Sequence, residues 1–144
     1  MKTKPIRKVL AAGLCALPLH AGNAMAGDSH SLVFELNNAR QAGGNCRLSF
    51  VIQNKMPAAI EALSLEIVLF NKQGRVDRFL KLKAGALPRG KIRVKQFDLK
   101  GLACGEVSKI LINEIAECKG KGLSPAACAG ALSISSRTPI ELQL

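Results

Sequence analysis

The side chains of this chain best suited to chemistry are its cysteines. Cys46, Cys104, Cys118 and Cys128 lie in the body of the sequence, and a fifth, Cys15, lies near the start. Thiol–disulfide exchange favours a close pair such as C-x-x-C, and zinc sites also use closely spaced ligand pairs. The shortest gap here, Cys118 to Cys128, is ten positions, which suits stapling rather than redox turnover or metal binding. Histidine chemistry is confined to His20 and His30, both near the amino terminus. Asp28-Ser29-His30 would make a square-planar copper(II) site only as a free terminus. The carboxylates are scattered, and Glu114 and Glu117 would share a face only if their segment were helical. The run "CKGKGLSPAAC" sets Lys119 and Lys121 among glycines, yet lacks the order of a phosphate-binding loop and the strand-to-helix setting for one. No catalytic constellation, cofactor motif or metal site follows, so the chain is not expected to be an enzyme.

Composition removes further classes. There is no Trp or Tyr, and only five Phe, so flat aromatic platforms for sugars or unpaired bases are missing. What stands out instead is charge. "RVDRFLKLKAGALPRGKIRVKQFDLK", from Arg75 to Lys100, holds nine basic and two acidic residues. Alternation sets Lys91, Arg93 and Lys95 on one strand face. Arg75, Lys81 and Lys83 lie on or beside the preceding strand, with Arg89 in the loop between. If those strands are neighbours the charges converge, and an anionic partner would offset their repulsion and be steered toward them. The competing reading is a solvated sheet face whose charges discourage edge-to-edge aggregation.

The first 26 residues read as a cleavable export signal. Lys2, Lys4, Arg7 and Lys8 precede an apolar run from Val9 to about Leu19, and small residues stand at Ala24 and Ala26. The run is shorter than the roughly 20 residues a membrane span needs. Leu14 before Cys15 argues against lipidation. Cleavage after Ala26 would leave residues 27–144 as a single domain of ordinary size. It would also leave 17 basic against 10 acidic residues. That excess of seven equals the excess within 75–100, so the rest of the domain balances. An even set of cysteines in an exported chain reads as two disulfides.

Strands must position these groups, because the apolar pattern has a period of two. "SLVFELN" (31–37) is a first strand. In "CRLSFVIQN", Cys46, Leu48, Phe50 and Ile52 share one face; in "LSLEIVLFN", Leu63, Leu65, Ile67 and Leu69 do. "NKQG" turns the chain into "RVDRFLKL", with Val76, Leu80 and Leu82 expected inside. "KIRVKQFDL" changes apolar parity after Val94, which suggests a bulge near Lys95–Gln96. The stretch 106–117 is read as a strand for its β-branched residues, and "ALSISS" and "PIELQL" close the chain. Ser124, Pro125 and Gly130 mark a short helical turn near 125–129. About seven short strands with regular turns indicate an all-β antiparallel sandwich. Val51, Val68 and Phe70 fall on outward parity, a candidate apolar patch for a partner or a homodimer.

"VIQN" (51–54), "SLEIVLFNKQG" (64–74) and "LPRGKIRVKQFDL" (87–99) together resemble bacterial immunoglobulin-like modules of the FxLYD and cell-adhesion-related kind, with Leu69-Phe70-Asn71 in place of the L-Y-D element. The resemblance implies a binding or spacer domain with no shared catalytic residues. It also bears on the cysteines. Fourteen positions separate Cys104 from Cys118, roughly 46 Å as a strand or about 21 Å as a helix. A disulfide needs Cα atoms within about 7 Å, so that pair is excluded and two connectivities remain. In an immunoglobulin-like sandwich the second and sixth strands begin at the same end, which favours Cys46–Cys104 with Cys118–Cys128.

The expectation is thus a non-catalytic, periplasmic or secreted module of the bacterial envelope that binds an envelope protein. An anionic envelope polymer or lipid head group bound through residues 75–100 is the alternative. Neither nucleic acid nor a membrane span is expected.

Overall fold

The computed structural model describes residues 31–144. The export signal with its cleavage after Ala26, Cys15, both histidines and the Asp28-Ser29-His30 stretch lie outside the described residues. Eight strands form two four-stranded sheets. β1 (Leu32–Ala42), β2 (Asn45–Asn54), β5 (Ile92–Leu99) and β7 (Leu132–Ser136) make one, in the order β5-β2-β1-β7. β3 (Ala62–Asn71), β4 (Val76–Lys83), β6 (Val107–Lys119) and β8 (Glu141–Gln143) make the other, in the order β4-β3-β6-β8. Most neighbours are antiparallel; β7 joins β1, and β8 joins β6, in parallel. The result is an all-β sandwich.

Its core follows directly from the alternation. Leu32, Phe34 and Leu36 of β1 and Cys46, Leu48, Phe50 and Ile52 of β2 are fully buried, and they meet Leu63, Leu65, Ile67 and Leu69 of β3. Phe34 stacks on Phe50 with ring centroids 4.6 Å apart, and Phe97 closes edge-on at 5.9 Å. Burying a side chain of this size contributes about 1.5–3 kcal/mol, so this layer of aliphatic and aromatic groups dominates the stability.

Disulfides join Cys46 to Cys104 and Cys118 to Cys128, the connectivity favoured by the immunoglobulin-like strand arrangement. The first ties the start of β2 to a 3-10 turn (Cys104–Glu106) that leads into β6, across the two sheets. The second pins the short helix α1 (Pro125–Gly130) against the end of β6. Ser124 caps that helix by accepting from the Ala127 N–H at 3.1 Å, with Pro125 in its first turn. Disulfides persist in oxidising compartments, so two of them argue against the reducing cytosol. Among the described residues, no helix is long and apolar enough to cross a membrane.

Three local expectations need correction. There is no bulge at Lys95–Gln96, because β5 pairs with β2 without interruption from Cys46–Leu99 to Gln53–Ile92. Ile92 and Val94 therefore face outward, 55% and 62% exposed, while Arg93 and Lys95 take the inner parity beside Phe97 and Leu99. Val76 is not inside either. The β3–β4 register shifts between Leu69 and Phe70, which turns Val76 out at 51% exposure. Glu114 and Glu117 share a face without any helix. β6 is longer than β3, and register shifts absorb the excess, so Glu114 pairs with Glu66 and Glu117 with Ser64, both on the outer face.

Close approach of chain segments fixes the end of the sandwich near α1. A Cβ on Gly120 would collide with the Ala59 carbonyl oxygen and would lie 2.8 Å from Leu123 Cδ1. Neither the backbone nor the turn, closed by Leu123 N–H to Gly120 O at 3.1 Å, has room to yield. Gly120→Ala is expected to cost about 1–3 kcal/mol. A urea melt showing wild-type stability would contradict that close approach.

Candidate functional site

The outer face of the β4-β3-β6-β8 sheet carries two adjoining features. Pairing builds the first in two rows. Phe79, Val68 and Leu111 lie side by side across β4, β3 and β6; Val76, Phe70 and Lys109 form the next row. Phe79 is 61% exposed, whereas Val68 beneath its neighbours is only 2% exposed. The Lys109 ammonium sits 4.4 Å from the Phe70 ring centroid, a cation–π contact that covers part of that ring. Isolated exposed apolar residues are ordinary, but here directly paired positions make one continuous surface.

Further along the same face the rows become charged. Lys81 pairs with Glu66 and Glu66 with Glu114; Lys83 pairs with Ser64 and Ser64 with Glu117. Asn113 donates to Glu66 at 2.9 Å. Lys119 reaches back to Glu117 at 2.7 Å. Together with Pro125 of α1, Ser64, Lys81, Lys83, Glu117 and Lys119 line an open cleft of about 550 Å³. The Glu117 carboxyl is held below the usual range by its hydrogen bond from Lys119, then by the charge of Lys119, with Lys81 and Lys83 adding to the pull.

The fold divides the basic segment. Lys81 and Lys83 stand on this outer face, whereas β5 belongs to the other sheet, so Arg93 and Lys95 do not share a pairing row with them. Lys95 runs to the side of Gly85 at the sandwich edge. Arg78, also on inner parity, donates to the Lys100 carbonyl at 3.1 Å and so bridges the two edge strands. Arg75 lies in the β3–β4 turn, where its N–H donates to Asn71 Oδ1. Arg89 and Lys91 are exposed in the loop before β5. Inward charges on edge strands oppose sheet-to-sheet pairing, and Arg93 and Lys95 fit that role. The expected convergence of one large basic face does not occur.

The apolar candidates divide as well. Val68 and Phe70 are neighbours, but Val51 lies on the outer face of the other sheet, where it pairs with Val94 and Glu35. Sequence reasoning missed Phe79 as a partner of Val68, since that needs the β3–β4 register. It also missed Lys119 as a neighbour of Lys81 and Lys83. The Lys83–Ser64–Glu117 row depends on a register shift in β6 that no local signal announces.

Among the described residues there is no histidine and no group of three or more potential metal ligands. No family model matches the chain, and no curated protein or solved structure is significantly similar to it.

Proposed function

We propose that the chain is a non-catalytic, immunoglobulin-like sandwich of the bacterial envelope, exported to the periplasm or beyond, that binds an envelope protein through the outer face of β4, β3 and β6. The observation that carries this reading is the apolar surface of Phe70, Val76, Phe79 and Leu111 laid over the buried Val68. In a chain with five phenylalanines, placing two of them on an outer sheet face is costly unless something covers them. Lys109 and Lys81 flank the surface, so a partner with apolar residues and acidic margins fits it. The Glu117 carboxyl is held below the usual carboxylate range by its hydrogen bond from Lys119, away from the near-neutral pKa that suits a general acid or base. The central pairings, β2 with β5 and β3 with β6, match those of an immunoglobulin-like sandwich. The alternative in which residues 75–100 act as one anion-binding surface loses its premise, because their charges lie on different sheets.

The test is capture from a detergent-solubilised envelope by the oxidised protein and by Phe79→Ser/Val76→Ser. Both sites are exposed, so the variant should keep its stability within about 0.5 kcal/mol. Wild type is expected to retain its partner in 1 M salt, where charge interactions reach only about 3 Å, and the variant to lose it at least tenfold. Equal capture by the two would remove this face from the account. A concentration-dependent dimer abolished by the same substitutions would replace the envelope protein with a second copy of this chain.

A further inference from the structure

The charged cleft carries its own ligand chemistry, independent of the protein partner. Its lining brings three ammonium groups, Lys81, Lys83 and Lys119, to a concave site that holds one carboxylate, Glu117. Two come from β4 and one from β6, which are brought together by β3 between them. This is not a solvated charge run: Lys119 is outside the basic segment, and the fold recruits it. The Cys118–Cys128 disulfide holds α1, and with it Pro125, as the remaining wall.

A second observation points to a bound group. Ser64 is only 3% exposed and lines the cleft, yet its hydroxyl forms none of the side-chain hydrogen bonds found among the described residues. No enclosed side-chain polar atom lacks a partner among those residues, so this hydroxyl opens into the cleft, beside Lys83 and Glu117 in the same row. It is a donor at the floor of a site whose walls are positive.

The chemistry of the donors selects the anion. No arginine fork lines the cleft, so planar, bidentate carboxylate recognition is not what it offers; lysines act as point charges suited to the spread oxygens of phosphate. Within the cleft lining three ammonium groups against Glu117 leave an excess of two positive charges, with Glu66 and Glu114 in the adjoining row outside that lining. This suits the roughly −1.5 to −2 of a phosphate monoester at neutral pH better than the single charge of a diester. The volume of about 550 Å³ leaves room for the group that carries the ester. We propose that this cleft binds a phosphate monoester, with Lys81 and Lys83 on its oxygens, the Ser64 hydroxyl donating from the floor, and Lys119 shared between the ligand and Glu117.

The probes are glycerol 1-phosphate in solution, and vesicles of neutral lipid containing either phosphatidic acid, a monoester, or phosphatidylglycerol, a diester. Amide shifts should concentrate at Ser64, Lys81, Lys83, Glu117 and Lys119 on adding glycerol 1-phosphate. Lys81→Ala/Lys83→Ala should weaken binding about tenfold or more, and Glu117→Gln should tighten it severalfold by removing the one opposing charge. These substitutions are at surface positions, and unchanged thermal melts show that the fold persists. Preferential sedimentation with phosphatidic acid vesicles, lost in the double-alanine variant, assigns the ester to a lipid surface; binding of glycerol 1-phosphate alone assigns it to a soluble or polymeric source. Absence of cleft shifts, shifts unaltered by the double-alanine variant, or equal binding of the diester vesicles would each overturn the proposal.

Discussion

Alanine at both Cys46 and Cys104 is expected to remove about 4 kcal/mol of stability and to lower the melting temperature by roughly 20 °C. The bridge closes a separation of 58 residues, so its loss returns much configurational freedom to the unfolded chain. It also links the start of β2 to the turn before β6, where the Cys104 N–H donates to Gln41 Oε1 of β1 at 3.0 Å. Cys46 is fully buried, so truncation adds a small packing loss to the entropic term. Against a typical total of about 5–15 kcal/mol, this is a large fraction. The Cys118–Cys128 bridge spans only ten residues and should contribute about 3 kcal/mol. The two variants should differ in kind as well as size. Loss of the short bridge should raise hydrogen exchange chiefly in α1 and the end of β6, whereas loss of the long one should raise it throughout the sheets. Guanidinium melts of both variants measure the first difference and amide exchange the second. A Cys46→Ala/Cys104→Ala protein melting within a few degrees of wild type would show that burial alone holds the layers together.

The fold was legible wherever a single strand carries its own information. Leu63, Leu65, Ile67 and Leu69 recur at every second position of β3 and all four are buried, although Ser64 and Val68 on the opposite parity are covered as well. The segment 106–117 carries Glu and Lys at spacings a helix would accept, but its Val, Ile and Leu content decides for a strand, which runs to Lys119. The cysteine pairing was legible because two connectivities survived geometry and the strand order implied by the immunoglobulin-like resemblance separated them. What failed was register. In β5 the apolar residues change face after Val94, and a bulge is the local explanation; the actual cause is that β5 is an edge strand. Its outer face tolerates Ile92 and Val94, and its inner face, beyond the covered core, tolerates Arg93 and Lys95. Binary patterning assumes that one face is wet and one dry along the whole strand, and an edge strand violates that assumption over its outer half.

The candidate site was less legible, for a related reason. Val68 and Phe70 announce their outward parity, but their neighbours Phe79 and Leu111 come from strands 11 positions later and more than 40 positions later, through pairings set by shifts. The basic segment announced itself through composition alone. Its two halves flank a sheet switch rather than a hairpin, since β4 and β5 are connected across the sandwich instead of pairing. Charge density along a sequence therefore overstated charge density in space, while the cleft assembled from Lys81, Lys83 and Lys119 was invisible.

Asn54→Leu should destabilise the protein by about 3–5 kcal/mol although it replaces a buried residue with an apolar one of comparable size. Asn54 ends β2 and is fully buried. Its amide nitrogen donates to the Ala58 carbonyl at 3.0 Å and the Leu87 carbonyl at 2.8 Å, while its side-chain oxygen accepts from the Met56 N–H at 2.9 Å. One side chain thus satisfies the backbone of two loops, 55–61 and 84–91, which the isolated Ile60–Leu87 bridge also joins. Leucine fills the volume but strands those groups away from water. Asn54→Asp separates hydrogen bonding from shape. It keeps the acceptor for Met56, but at neutral pH it turns a negative oxygen toward two carbonyls, so it should be at least as unstable as the leucine variant. Burial and those carbonyls favour its protonated form, raising its pKa in the folded state. Stability of this variant relative to wild type is therefore lost as pH rises above the unfolded value of about 3.9, and the deficit should shrink as pH falls toward it, when the protonated acid donates once more. The Asn54→Leu deficit has no titrating group behind it and should stay constant across the same range. Urea melts of the three proteins at several pH values read both effects, and a pH-independent Asn54→Asp deficit would mean that the carboxylate escapes to solvent and that the two loops do not depend on this amide.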